Sequence, residues 1–385
     1  MSGKSSPTPK RFIRRACELG AKEATVCIQK ATYDTMDIPK LLDPLGGLTK
    51  FVHKGETVVL KVNLLNASSP ETAVVTDPRL VGKVAKAILD LGAHPIIADS
   101  PSGPFSKRRL RKVYEASGLL AISNELGITL NYDTGTTTIS IPHGREITIT
   151  PLCNYILNAD KIISLPKIKT HAQMIMTLAT KNMYGAVPGL TKAKYHALHA
   201  KKSAFADMLL DVYTIATPDL VIMDGIIGMQ GEGPGTAGDP VNLGVLIAGV
   251  DPVSIDLSVC QILQIEPIGI PVLRQAKIRK LWPRHICYPL LAPVDVAYSG
   301  FILPKTADYL LTGIKTPSKI PVITSKCVSC GQCEEICPRD AITISPGHNA
   351  IDYSRCIRCY CCQEICPERA IILENHEKKN LIRYD

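Results

Sequence analysis

Nine of the fourteen cysteines fall between residues 327 and 366, and their spacing sets out the first chemistry. CVSCGQCEEICP (327–338) and CIRCYCCQEICP (356–367) each carry the run C-x2-C-x2-C-x3-C-P. Thiolates are soft, anionic donors suited to iron–sulfide clusters. Three cysteines at this spacing wrap one cluster and leave one iron open, while the fourth points away and ligates the other cluster. The spacing therefore predicts two [4Fe-4S] clusters. Cys327, Cys330, Cys333 and Cys366 would hold one, and Cys356, Cys359, Cys362 and Cys337 the other. Zinc ribbons and knuckles instead pair their ligands around a longer spacer. Cys361, at the position matching Gln332, is surplus to these eight ligands and reads as a bystander, with a redox thiol as the alternative. Cys17, Cys27, Cys153, Cys260 and Cys287 are scattered and read as small buried apolar side chains.

Other polar constellations lie upstream. LPKIKTHAQMIMTLATKNMYGAVPG (165–189) sets Lys169, His171, Lys181, Asn182 and Tyr184 in or beside an otherwise apolar unit. His171 and Lys181 are candidate catalytic residues, a general acid/base and a cation for an anionic ligand. The plainer alternative is a capping histidine and a snorkelling lysine. KAKYHALHAKK (192–202) carries His196 and His199 at i, i+3, on one helix face, where a second metal could bind. A solvated basic helix is the alternative there. DGIIGMQGEGPGTAGDP (224–240) has six glycines and two prolines. Read as a loop, it offers Gly228, Gly231, Gly233 and Gly235 as cofactor-binding backbone, with Asp224 and Glu232 as carboxylates. It lacks the phosphate-loop and dinucleotide fingerprints, so ATP and NAD are not expected. Ser100 and Ser102 in ADSPSGPFS (98–106) read as caps or anion ligands at a helix start.

The elements that must position these residues alternate between strand and helix, which predicts an α/β fold over roughly the first 300 residues. Strands are expected at 56–65, 94–100, 128–132, 160–168, 219–226 and 241–249, and a hairpin at 136–150. Helices are expected at 76–93, 106–120, 171–185, 203–216 and 251–265. Prolines 283, 289, 293, 304, 317 and 321 mark an irregular linker. The division is therefore 1–315 for the α/β domain and 316–385 for a second domain. That second domain is an internal repeat: 325–344 matches 354–373 at an offset of 29, identical at ten of twenty positions.

Composition narrows the classes. The chain of 385 residues is 45% apolar, enough for sizeable cores, yet no apolar run spans a bilayer. Arg14-Arg15 is not followed by an apolar signal region, so a cytoplasmic protein is expected. The cysteine usage also suits a reducing compartment. The formal charge is +9, with basic runs at 107–112 and 192–202. Five phenylalanines and one tryptophan leave few rings for stacking bases, and nucleic acid is not expected. A basic face fits an acidic redox partner protein or a small anionic substrate.

LLDPLGGLTKFVHKGETVVLKVNLL, TDPRLVGKVAKAILDLGA, ADSPSG, LPKIKTH, TLATKNMYG and DGIIGMQGEGPGTAGDPVNLGVLIAGVDPVSID together resemble the DUF362 family. With the tandem cysteine runs, the chain resembles the group called uncharacterised Fe–S centre proteins. Residues 320–375 resemble the bacterial two-[4Fe-4S] ferredoxins, which implies a small α+β domain with duplicated βαβ-type halves. A more remote likeness is to the nickel-pincer lactate racemase superfamily. There a histidine precedes by ten residues the lysine that holds the cofactor, and a later histidine binds nickel. The matching positions here are His171, Lys181, and His196 or His199. These resemblances imply an iron–sulfur redox protein that passes single electrons to or from a ligand or partner of the α/β domain. The alternatives are a non-enzymatic carrier or assembly partner, and a metal-cofactor enzyme of racemase type with structural clusters.

Overall fold

The structure, a computed structural model, describes residues 23–307, 319–345 and 348–375. Arg14-Arg15, Cys17 and the 315/316 boundary lie outside the described residues. Strands β1 (Glu23–Lys30), β2 (Thr57–Lys61), β3 (His94–Ala98) and β4 (Thr129–Leu130) begin the large sheet. A separate hairpin, β5 (Thr136–Ser140) with β6 (Ile149–Cys153), follows. The large sheet resumes with β7 (Lys161–Ser164), β8 (Lys167–His171), β9 (Ile175–Thr177), β10 (Leu220–Gly231), β11 (Gly238–Gly249) and β12 (His285–Cys287). Its order is β12-β1-β11-β10-β7-β2-β3-β4, with β8 branching onto β10 and β9 onto β8. The β7-β2-β3-β4 half is parallel, and the β1-β11-β10 half is antiparallel.

Successive side chains of a strand point to opposite faces, and here both faces are buried. Val59, Ile162, Met223 and Ile247 join one apolar cluster with the helices Lys202–Ile215 and Pro252–Ile262. Their neighbours Val58, Leu60, Ile163, Ile222 and Leu246 join the other, with the helices Pro78–Asp90 and Lys107–Ala116. Helices on both faces of a mixed sheet make a three-layer α/β domain. The Pro78–Asp90 helix starts as its sequence requires: the Asp77 carboxylate accepts from Arg79 N, and Pro78 sits in the first turn.

Four expectations are corrected. The stretch 160–168 is two strands, because the chain breaks at Leu165-Pro166 and β7 and β8 run one after the other along β10. The helix expected at 171–185 is a β8–β9 hairpin, then a short helix, Ala179–Asn182. Met174, Met176 and Leu178 alternate with period two, which is a strand signal. The glycine-rich 224–240 is mostly strand: β10 runs through to Gly231, and the turn occupies only 232–237. The linker expected from Pro283 first supplies β12, which pairs with the otherwise unrecognised β1 at the sheet edge.

The C-terminal segment holds two small antiparallel sheets. One pairs β13 (Ile320–Ile323) with β16 (Ile371–Glu374); the other pairs β14 (Ile342–Ser345) with β15 (His348–Ile351). The short helices Gln332–Ile336 and Cys361–Ile365 stand at the repeat offset of 29. So do the left-handed backbone positions: Ser329 and Arg358, Gly331 and Tyr360, Asp340 and Arg369.

Candidate functional site: a basic cavity walled by the second cysteine run

The cysteines sort into two hollows. Cys327, Cys330, Cys333 and Cys366 border one, lined otherwise by apolar groups such as Ile323, Ile344 and Ile371. Cys337, Cys356, Cys359 and Cys362 border the other, with Ile342, Ile351 and Ile357. Each set takes three thiols from one run and the fourth from the other. The left-handed residues in each run let the backbone curl around its hollow. Backbone N–H groups point at the fourth thiol of each run, Ala341 N at Cys337 Sγ (3.3 Å) and Ala370 N at Cys366 Sγ (3.4 Å). Such donors tune a bound cluster. Soft thiolates in an apolar, donor-lined hollow fit iron–sulfide better than a hard cation.

A third and larger cavity, about 80 Å³, lies between the α/β domain and the second cysteine run. Strand β8 places Lys167, Lys169 and His171 on one face, all buried. Lys167 is taken up by Asp224 (2.8 Å) and Tyr33 (3.0 Å). Lys169 and His171 turn into the cavity. His171 Nδ1 accepts from Gln173 N (3.1 Å) and Met174 N (3.3 Å), tying the β8–β9 turn. The turn closes on Ile175 at φ +68°, a left-handed conformation that costs a β-branched residue about 1–3 kcal/mol and marks a site held under constraint. The Asp256 carboxylate accepts from Ala179 N (2.7 Å) and Thr180 N (3.1 Å), fixing the short helix that carries Lys181. Lys61 and Asp99, at the ends of β2 and β3, pair at 2.8 Å in the cavity wall. On the helix Gly189–Leu198, Lys192 and His196 lie one turn apart and line the same cavity.

The cysteine segment supplies the opposite wall through Ile336, Cys361, Glu364 and Ile365. Glu364 Oε1 lies 3.3 Å from His171 Nε2, within ion-pair range but without hydrogen-bond alignment. Cys361 borders both this cavity and the hollow of Cys337, Cys356, Cys359 and Cys362, so one thiol separates the two spaces. The β10–β11 turn holds the segment in place. Thr236 Oγ1 donates to Cys366 O at 2.7 Å, and Gly235 packs so tightly on the Glu364 carbonyl that a Cβ there would collide with it.

Burial dominates the electrostatics of the cavity. It pulls Lys169 down to about 7, helped by Lys181, and pulls Lys181 and Lys192 to about 8. His196 falls to about 3 and His171 well below its ordinary value, so both imidazoles are neutral. Burial pushes the Glu364 carboxyl up to about 7.

The structure thus brings His171, Lys181 and His196 to one cavity and leaves His199 outside it, with Nδ1 3.3 Å from Glu146. His199 is past the helix end, so the two histidines do not share a helix face. Among the described residues no three His, Cys, Asp or Glu side chains converge on a point for a single metal ion. Gly228 and Gly231 lie in β10, and Gly233 and Gly235 in the turn, where Gly233 packs on Thr170. Pro234, between them, lines the cavity. Asp224 is buried beneath Lys167, Tyr33 and Asp77 N, and Glu232 accepts from Lys305 N. Ser106, not Ser100 or Ser102, caps the helix at 107; Ser100 and Ser102 line the cavity, and Ser100 Oγ accepts from Gly189 N and Lys192. Lys61, Asp99, Lys192 and Glu364 are site residues that the sequence alone does not single out, and Cys361, surplus to the eight expected ligands, borders the cavity. The available signals were a lysine at the end of an apolar strand and a cysteine that breaks the repeat.

A basic α/β cavity closed by a tandem cysteine module is the architecture of an iron–sulfur-binding protein. The chain belongs to the DUF362 family: the family pattern, described as "Domain of unknown function (DUF362)", matches residues 58–261. The pattern described as "4Fe-4S binding domain" matches residues 320–343, which supports iron–sulfur cluster binding. The "Thylakoid-associated protein sll1697" of Synechocystis sp. is 35% identical over 275 residues, covering 69% of this chain and 81% of that protein. Among solved structures, the lactate racemase apoprotein from Thermoanaerobacterium thermosaccharolyticum aligns at 12% identity with a TM-score of 0.40, over 62% of this chain and 56% of that one. No described helix is long and apolar enough to cross a membrane.

Proposed function

We propose that this chain is an iron–sulfur redox protein in which two [4Fe-4S] clusters serve an anionic ligand held in the basic cavity. The C-terminal segment would be a ferredoxin-like domain of duplicated strand–helix–strand halves, with the two four-cysteine sets as ligands. When bound, the clusters supply single-electron transfer. The chain's own residues bind and orient the ligand through the lysines, exclude bulk water, and hold protons at Lys169 Nζ and Lys181 Nζ. The observation that carries this reading is Cys361, whose thiol lines both the second cysteine hollow and the cavity. A carrier that only docks another protein has no need of a cavity at His171 and Lys181, yet both line one. The cysteine set supports a reducing, cytoplasmic compartment and an electron-exchanging partner protein.

The test is anaerobic purification followed by iron and sulfide analysis. About eight of each per chain, with a visible band that bleaches on reduction, is the expected result. Protein without iron and sulfide would sink the reading. A second reading, a metal-cofactor enzyme with structural clusters, is favoured by one observation: His196 Nδ1 is buried, unpartnered and beside the cavity that His171 and Lys181 share. It requires a non-iron metal in the purified protein that is lost in His196→Ala.

A further inference from the structure

Charge in the cavity is out of balance. Lys61, Lys169, Lys181 and Lys192 line it, against Asp99 and Glu364. Asp99 is committed to Lys61 Nζ (2.8 Å) and Leu64 N (2.7 Å). Lys169 Nζ donates to the Val74 carbonyl (2.7 Å) and has no carboxylate within ion-pair range among the described residues. Among the described residues Lys192 Nζ donates to the Ser100 hydroxyl and to the carbonyls of Ser100, Pro101 and Val187, and to no carboxylate. The Lys181 ammonium has no hydrogen bond or ion pair among the described residues, and Glu364 is the charge that most favours its proton. One carboxylate therefore faces three ammonium groups, Lys169 buried and Lys181 and Lys192 half-buried. Buried charge without a partner is costly.

A second observation points to a polar guest. Of nine buried side-chain polar atoms without a hydrogen-bond partner among the described residues, four belong to residues lining this one cavity: Asn63 Oδ1, Thr177 Oγ1, His196 Nδ1 and Glu364 Oε1. The Thr177 hydroxyl and His196, as its Nδ1–H tautomer, can donate to an anion, whereas Asn63 Oδ1 and ionised Glu364 accept from water or from a hydroxyl of the guest. Buried polar groups are ordinarily satisfied, so orphans gathered in one place mark a missing polar guest. Size supplies the third. At about 80 Å³, against about 15 Å³ for one water-sized guest, the cavity takes about five heavy atoms.

We infer that the cavity binds one small oxyanion, of the size of phosphate, sulfate or a carboxylate of up to about three carbons, with Lys169, Lys181 and Lys192 as its cationic ligands and the Thr177 hydroxyl as a neutral donor. This deepens the preceding reading by naming the class of its ligand. The cavity does not hold a whole nucleotide. The three ammonium groups come from three elements of the α/β domain, β8, the short helix Ala179–Asn182 and the helix Gly189–Leu198, and lie across the cavity from the wall that the cysteine segment supplies.

The test is calorimetric titration of the whole iron–sulfur-loaded protein, oxidised and anaerobic, with sulfate, inorganic phosphate, acetate, pyruvate and ADP as separate titrants. One site per chain for sulfate or phosphate would identify an inorganic guest, and one site for acetate or pyruvate an organic one; ADP is expected not to bind. Lys181→Gln and Lys192→Gln should each weaken binding at least tenfold, Lys181→Arg should retain it, and Arg111→Gln on the exposed helix should change it less than twofold. Lys181→Arg preserves the charge and keeps the test valid if the glutamine variants do not fold. Overturning results are no saturable binding of any small anion, equal effects of Lys181→Gln and Arg111→Gln, or ADP binding as tightly as phosphate. The oxidised protein delivers no electrons during this titration. A working site with clusters that never react with the anion would therefore sink the redox reading and leave this inference standing.

Discussion

Glu335 and Glu364 hold the same place in the two cysteine halves, 29 residues apart, yet Glu335 is exposed and Glu364 is buried in the cavity wall. The contrast extends along both runs. Cys330 is exposed where Cys359 is buried; Gln332 is half-buried where Cys361 is buried; Val328 is 62% exposed where Ile357 is half-buried. The backbones are alike down to their left-handed residues. Local sequence therefore shapes both cysteine loops in the same way, and docking against the α/β domain makes them different. The first run faces solvent, and the second faces the basic cavity.

The largest way to break this comparison is at the thiols. Cys330→Ser and Cys359→Ser should each lose about four of about eight irons, measured by iron analysis. Only Cys359→Ser should also disturb the cavity, seen as altered Lys181 titration in 15N NMR. Equal cavity effects from both would remove the distinction. Next in size, Gly235→Ala should destabilise the protein by about 1–3 kcal/mol, because its methyl meets the Glu364 carbonyl. An unchanged urea midpoint would show that the turn does not press on the second run.

The lysines give a pH signature of opposite signs. Their protons are held less tightly in the folded state, at about 7 for Lys169 and about 8 for Lys181 and Lys192, than at the ordinary lysine value of 10.5. Between those limits the unfolded chain binds more protons, so their contribution to stability rises with pH from about 7 to 10.5. Affinity for a small anion should fall over the same interval as the ammonium charges are lost. Urea unfolding and anion titration across that interval check both slopes, and parallel slopes would contradict the assignment. The smallest effect separates the glutamates themselves. Glu335→Gln should stay within about 0.5 kcal/mol of the parent, whereas Glu364→Gln should lower the Lys181 titration further by removing the charge that props it up.

The cysteine sets and the alternating architecture were legible because their signals are local: three-residue spacings, two-residue and 3.6-residue periods, and a repeat. The cavity was not legible in that way. Lys61, Asp99, Lys192 and Glu364 come from four distant segments, and each alone looks like an ordinary polar residue. His196 and Lys192 share a face at i, i+4, while the more conspicuous pair, His196 and His199, is divided by the helix end. The hairpin carrying His171 was hidden by its methionines, which suit either element; only the alternation at Met174, Met176 and Leu178 distinguishes them. The many glycines of 224–240 suggest a loop, but four of the six lie within the strands β10 and β11.

The β10–β11 hairpin begins in the middle of the large sheet, where Val221 pairs with Gly249, and ends at the turn that rests on the second cysteine run. It works as a spacer bar between the two halves of the site. A strand advances about 3.4 Å per residue, so two residues added to each arm would carry its tip about 7 Å outward. The width of the ligand chamber would then be set by hairpin length rather than by the side chains that line it, and a binding site of this design could accept larger guests without changing a single lysine.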